Sequence, residues 1–153
     1  MHSVLFVCTA NQCRSPMAEG LLRLQVGVDN PEWRVASAGT WAYDGAPAST
    51  NSFVVLNKLG YDLSYHQSRV VDLDMINSYQ LILVMESGHK EALRIEFPEI
   101  AERIYLLSEM IKMTFNIDDP VGRPLAEYEA TAREIGQIIR QGFERISWLS
   151  DEG

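Results

Sequence analysis

Four consecutive apolar residues, Val4 to Val7, run into Cys8 near the start of the chain. A continuous run of this kind predicts a strand buried on both faces of a parallel sheet. Ser15 reads as an N-cap and Pro16 as the first helical residue, where a missing N–H costs nothing. Met17, Leu21, Leu24 and Val28 then recur at helical spacing, and Asn30-Pro31 ends that helix. Arg34 to Ala38 predicts a second short strand, broken by Gly39, and Thr40 to Ala46 a loop. Pro47 opens another helix, carrying Phe53, Leu56 and Leu59, with Gly60 just past its end. Tyr61 to Arg69 has no clear period and reads as a connection. Asp72 caps a short helical turn through Ile76.

The most apolar stretch, Leu81 to Val84, predicts a third strand. Ser87 caps a helix through about Ile95, and Ile104 to Leu107 predicts a fourth strand. A loop follows over residues 114–124. Tyr128, Ala132, Ile135, Ile139, Phe143, Ile146 and Leu149 lie three or four apart and predict one long terminal helix. Strands alternating with helices make an α/β domain, a mostly parallel sheet sandwiched by helices. Sites in such sheets lie at the carboxyl ends of the strands. Cys8, the Ser37–Gly39 turn, Met85–Glu86 and the Asp119 loop all follow strands and should share that edge.

Length and composition narrow the picture. The chain has 153 residues, enough for a single domain over 1–153 with a sizeable core. Its net charge of −8 argues against general binding of nucleic acid or an anionic membrane. Cys8 and Cys13 are its two cysteines. That count suits neither a disulfide scaffold nor a structural zinc site, and a reducing, cytoplasmic setting is expected. No signal peptide is expected, and no apolar run approaches the ~18 residues of a membrane span.

The chemistry sits in the first loop. A strand-to-helix loop aims successive N–H groups at one point, and the helix N-terminus adds partial positive charge there. Residues Thr9, Ala10, Asn11, Gln12 and Cys13 would cradle a phosphoryl group. Arg14 would add a planar fork of two hydrogen bonds. Cys8 lies where a helix start and an arginine both lower a thiol's pKa, so it is expected to be a thiolate and a nucleophile. Asn11 is expected in the left-handed backbone region, which asparagine tolerates. Cys13 reads either as a loop member or as a disulfide partner that shields Cys8 from over-oxidation.

Cys8-x5-Arg14 with Ser15-Pro16 resembles the signature of low-molecular-weight protein-tyrosine phosphatases. The likeness continues through Ser37-Ala38-Gly39-Thr40, His66, Leu83-Val84-Met85-Glu86 and Asp119-Pro120, covering nearly the whole chain. It implies a three-layer sandwich with a four-stranded parallel sheet. It also implies hydrolysis of phosphotyrosine in proteins through a phosphocysteine on Cys8. Asp119, rather than its neighbour Asp118, would be the general acid and then the base. No metal or cofactor is implied. Inorganic phosphate and vanadate would inhibit. By the same resemblance Ser37 and His66 hydrogen-bond to Asn11, and Ser15 donates to Cys8. One hydroxyl cannot fully serve as both N-cap and thiol partner.

The pattern departs from the family in places that bear on the leaving group. Many members carry aromatics directly after Asp-Pro, whereas Val121-Gly122-Arg123 stands here. Gln12 replaces a small or apolar residue. Some bacterial relatives with a glycine-rich sequence at that point resemble protein-arginine phosphatases, the alternative reading. Trp41, and less so Tyr43, is expected to line the substrate cleft and favours an aromatic substrate; otherwise both pack on the body as loop anchors. Val121 stands where the cleft would have its second wall, and Arg123 would meet acidic groups beside the phosphosite. An arsenate reductase of this fold would need further cysteines for its electron relay. A non-catalytic phosphate-binding module would have no use for Cys8, Arg14 and Asp119 together.

Overall fold

A computed structural model describes residues 1–153 and contains four parallel strands in the order β2-β1-β3-β4. They are β1 (His2–Cys8), β2 (Trp33–Gly39), β3 (Leu81–Val84) and β4 (Ile104–Leu106). The unbroken apolar run of β1 follows from its central place. Val4, Phe6 and Cys8 pack into one core and Leu5 and Val7 into another, on the opposite face. The first core is closed by α1 (Arg14–Val26), α5 (Leu125–Gln141) and α6 (Phe143–Ser150). The second is closed by α3 (Leu73–Asn77) and α4 (Ser87–Glu96). This is the expected three-layer sandwich. A smaller cluster, with Cys13, Met17, Leu56 and Tyr128, joins α1, α2 (Thr50–Leu59) and α5.

Several boundaries differ from the sequence expectation. Ser15 is not an N-cap: α1 begins at Arg14, Cys13 precedes it, and no side chain caps that end. Pro16 still lies in the first turn, where the lost N–H has no partner to miss. Val28 falls outside α1, past Gly27. Pro47 does not open α2; Ser49 does, accepting a hydrogen bond from Ser52 N. Glu86, not Ser87, caps α4. The single terminal helix is two. At Gly142 a Cβ would lie 2.8 Å from both Met110 Cβ and Met110 O. Gly142 lets Met110 pack close at the junction of the two helices, and the apolar period continues across it. Gly60 at the end of α2 is left-handed (φ 99°), as expected, and Asp72 caps α3 through Met75 N.

Cys8 pairs with Gly39 in register, so β1 and β2 end together. Met85 N bonds Val7 O and Ile117 N bonds Met85 O. These bonds bring the end of β3 and the Asp119 loop to the same edge.

Candidate active site

The loop after β1 is built around Asn11. Its φ of 58° is one of two positive values outside glycine. The side chain, fully buried, donates from Nδ2 to Ser15 Oγ (2.8 Å) and Ser37 Oγ (2.9 Å). Its Oδ1 accepts from Arg69 N (3.1 Å), and its carbonyl meets His66 Nε2 (2.7 Å). Ser37 in turn donates a hydrogen bond to Glu19 Oε1 at 2.8 Å. Asn11 is thus the hub that ties the loop to α1, β2 and the segment before α3. Thr9 and Ala10 are exposed at the loop's mouth.

Cys8 Sγ lies 2.9 Å from Ser15 Oγ. That hydroxyl is also in contact with Asn11 and, at 3.4 Å, with Ala38 O. It therefore serves the thiol and not the helix end, which settles the competition between its two expected uses. Burial pushes the Cys8 thiol up, against the Ser15 hydrogen bonds, the Arg14 charge and the Asn11 N–H, which pull it down. Burial thus opposes the thiolate that Ser15, Arg14 and the loop N–H favour. Removal from water penalises the anion, and Arg14 is already shared with carboxylates.

Arg14 is 1 % exposed, an unusual state for a cation. Its NH1 group donates to Glu86 Oε2 (2.5 Å) and to Ile117 O (2.7 Å), and its NH2 group lies 3.5 Å from Asp119 Oδ2. Its buried Nε has no partner among the protein atoms. Asp119 Oδ1 accepts from Val121 N (3.1 Å), a turn that presents the carboxylate toward Arg14. The neighbouring Asp118 is exposed and makes no such contact.

Cys13 Sγ is buried and faces Ser49 Oγ (3.5 Å) and Tyr128 OH (3.7 Å); both cysteines are free thiols. Gln12 turns away from the loop and donates to Pro47 O at 3.1 Å. The cleft residues are open. Trp41 is 80 % exposed and Tyr43 82 %, so neither is packed as an anchor on the body. Trp41 N nevertheless bonds Thr9 O (2.9 Å), fixing that segment beside the loop. Val121 and Arg123 are exposed next to Asp119. A groove of about 760 Å³ between α1, α2 and α5 contains none of these residues.

Two residues at the site were not assigned a role from sequence. Glu86 holds Arg14, and His89, 7 % exposed, meets Thr9 Oγ1 through Nε2 at 2.9 Å. A signal was available: an acid and a histidine three apart at a strand-to-helix junction, the spacing of reciprocal helix capping.

Residues 3–148 match the family described as low molecular weight phosphotyrosine protein phosphatase. A protein-arginine-phosphatase of Geobacillus stearothermophilus is 34% identical over 95% of this chain and 96% of its own length. The probable low molecular weight protein-tyrosine-phosphatase EpsP of Ralstonia solanacearum is 35% identical, over 97% and 99%. The solved low molecular weight protein tyrosine phosphatase of T. tengcongensis superposes with a TM-score of 0.89, at 36% identity, over 95% of this chain and 99% of that one.

Proposed function

The chain belongs to the low molecular weight phosphotyrosine protein phosphatase family, and on that footing we propose that it hydrolyses phosphotyrosine in proteins through a phosphocysteine on Cys8. The observation that carries this reading is convergence. A buried thiol, a buried guanidinium and a carboxylate from a distant loop meet at one strand edge. The unspent Nε of Arg14 and the loop N–H groups suit a phosphoryl group's equatorial oxygens.

A phosphate ester dianion takes the Cys8 proton onto a phosphoryl oxygen as it enters. Sγ then attacks phosphorus, the S–P bond forms and the P–O bond to the phenol breaks. Asp119 gives its proton to the leaving oxygen. In the second step Asp119 takes a proton from water, water attacks phosphorus, and the S–P bond breaks to release inorganic phosphate. Arg14 stabilises the charge spread over the transferring group. Asn11, Ser37 and His66 hold the loop's shape, and Ser15 stabilises the thiolate once formed.

The test is p-nitrophenyl phosphate hydrolysis in the presence of a chelator, with vanadate inhibiting and Cys8→Ser inactive. Activity of that variant near wild type overturns the assignment of the nucleophile.

A protein-arginine phosphatase is the second reading, the same displacement at a P–N bond. It is favoured by Val121-Gly122, which leaves one side of the cleft without an aromatic wall, and by the likeness to the Geobacillus protein. Exposed Trp41 favours the phenolic substrate. Comparing kcat/KM on phosphotyrosine and phosphoarginine peptides of one sequence decides between them.

A further inference from the structure

The first turn of α4 touches both ends of the loop. At the far end, Glu86 Oε2 holds Arg14 NH1 at 2.5 Å. At the near end, His89 Nε2 lies 2.9 Å from Thr9 Oγ1. The two are joined: His89 Nδ1 accepts from Glu86 N at 3.2 Å. That bond leaves Nδ1 without a proton, so Nε2 carries it and donates to the threonine. Thr9 is gripped from the opposite side as well. Its carbonyl accepts from Trp41 N at 2.9 Å, and a Cβ on Gly39 would lie 2.4 Å from that oxygen. Thr9 is therefore the loop residue held between β2 and α4, and His89 supplies the α4 side.

Resting on the phosphatase reading, we infer that His89 is a positioning residue: as a neutral imidazole it fixes Thr9 and, through the Glu86 backbone, keeps the loop at the width an oxyanion needs. A doubly protonated ring has no acceptor for Glu86 N–H, so the brace opens in acid. Burial and the Arg14 charge push the His89 pKa down, while Glu86 and Asp119 pull it up. The adjacent Lys90 is paired with Glu109 at 2.6 Å. Arg14, Glu86 and Asp119 are thus the charges that face the ring. The brace stays closed through neutral pH and yields only below the ordinary histidine range.

The experiment measures binding of inorganic phosphate by calorimetry, and KM and kcat on p-nitrophenyl phosphate, for four variants. Phosphate binding reports on the loop whether or not the chain turns over, so failure of the phosphatase reading shows separately, as absent wild-type hydrolysis. His89→Leu should weaken phosphate about tenfold and raise KM by a similar factor, with kcat changed less than threefold. His89→Gln, whose amide nitrogen reaches the Nε2 position, should recover most of the binding. Thr9→Val should match His89→Leu, and the double variant Thr9→Val/His89→Leu should add nothing. Wild-type phosphate affinity in folded His89→Leu overturns the inference. So does a His89→Gln as weak as His89→Leu, or losses that multiply in the double variant. If His89→Leu does not fold, Thr9→Val against His89→Gln decides: only the former should lose affinity.

Discussion

Arg14 NH2 stands 3.5 Å from Asp119 Oδ2, a contact between the start of α1 and the loop before α5. The guanidinium is buried and the carboxylate is 37 % exposed, so one partner lies in the interior and the other opens to the cleft and solvent. That asymmetry suits a cation that stays with the phosphoryl group and an acid that must reach a leaving oxygen.

Asp119→Asn should therefore leave binding nearly intact and slow departure of the leaving group. The loss in kcat should reach roughly 10²–10⁴-fold on alkyl phosphates, the usual worth of a general acid. It should be far smaller on p-nitrophenyl phosphate, whose phenolate leaves unaided. Equal losses on both substrates would remove Asp119 from that role.

The burial of the Cys8 thiol, which pushes its pKa up, has its own consequence. Carbamidomethylation by iodoacetamide should rise only at a pH above the ordinary thiol value of about 8.5. Ser15→Ala, which removes a hydrogen bond that lowers the pKa, should move the profile higher still. Rapid alkylation at pH 6 would show that the thiol is already ionised.

Asn11 carries conformational and hydrogen-bonding duties that can be separated. Asn11→Gly keeps the left-handed backbone accessible but abandons the Ser15, Ser37 and Arg69 bonds. It should cost about 1–3 kcal/mol, the penalty for stranding buried polar groups. Asn11→Ala adds the positive-φ strain and should cost more. Urea midpoints read both, and equal midpoints for Asn11→Gly and wild type would show that the hub is idle.

Glu109 gives a pH-dependent contribution to stability outside the catalytic groups. Burial raises its pKa, but bonds from Lys90 and Leu106 N overcome this and hold it below the usual carboxylate range. A depressed folded value means stability that is present above the unfolded pKa and lost as pH falls through the folded one. The pair is partly exposed, so the contribution should be at most about 1 kcal/mol. Glu109→Gln should lower the urea midpoint at pH 7 and converge on wild type in acid; a gap that persists at pH 2–3 contradicts this.

Gly142→Ala should destabilise by about 1–3 kcal/mol, because the added methyl meets Met110 with no room to yield. Co-substitution of Met110 by alanine should recover little, since one of the close atoms is the Met110 carbonyl. A thermal midpoint unchanged in Gly142→Ala would show that Met110 can give way to the added methyl.

The sequence by itself determined the periodic features. β1, β3 and α1 were legible because burial on one or both faces writes itself into neighbouring residues. Cys8, Arg14 and their loop were legible because one short segment holds them and its local geometry is stereotyped. Asp119 was reached by resemblance, since an Asp-Pro turn has no chemical signature of its own. The tertiary structure decided what depends on residues distant in the chain. Ser15 serves Cys8 and not its helix end, because a buried sulfur and a buried amide compete for its hydroxyl. The terminal helix is divided at Gly142, where Met110, distant in the chain, packs too close for a side chain. The Cys8 pKa is pushed up because the surroundings that dry the thiol come from many elements at once. Glu86 and His89 join the site because β3 ends beside β1 and places the first turn of α4 over the loop. Local spacing encodes which face is buried; it carries no record of which groups will share that burial.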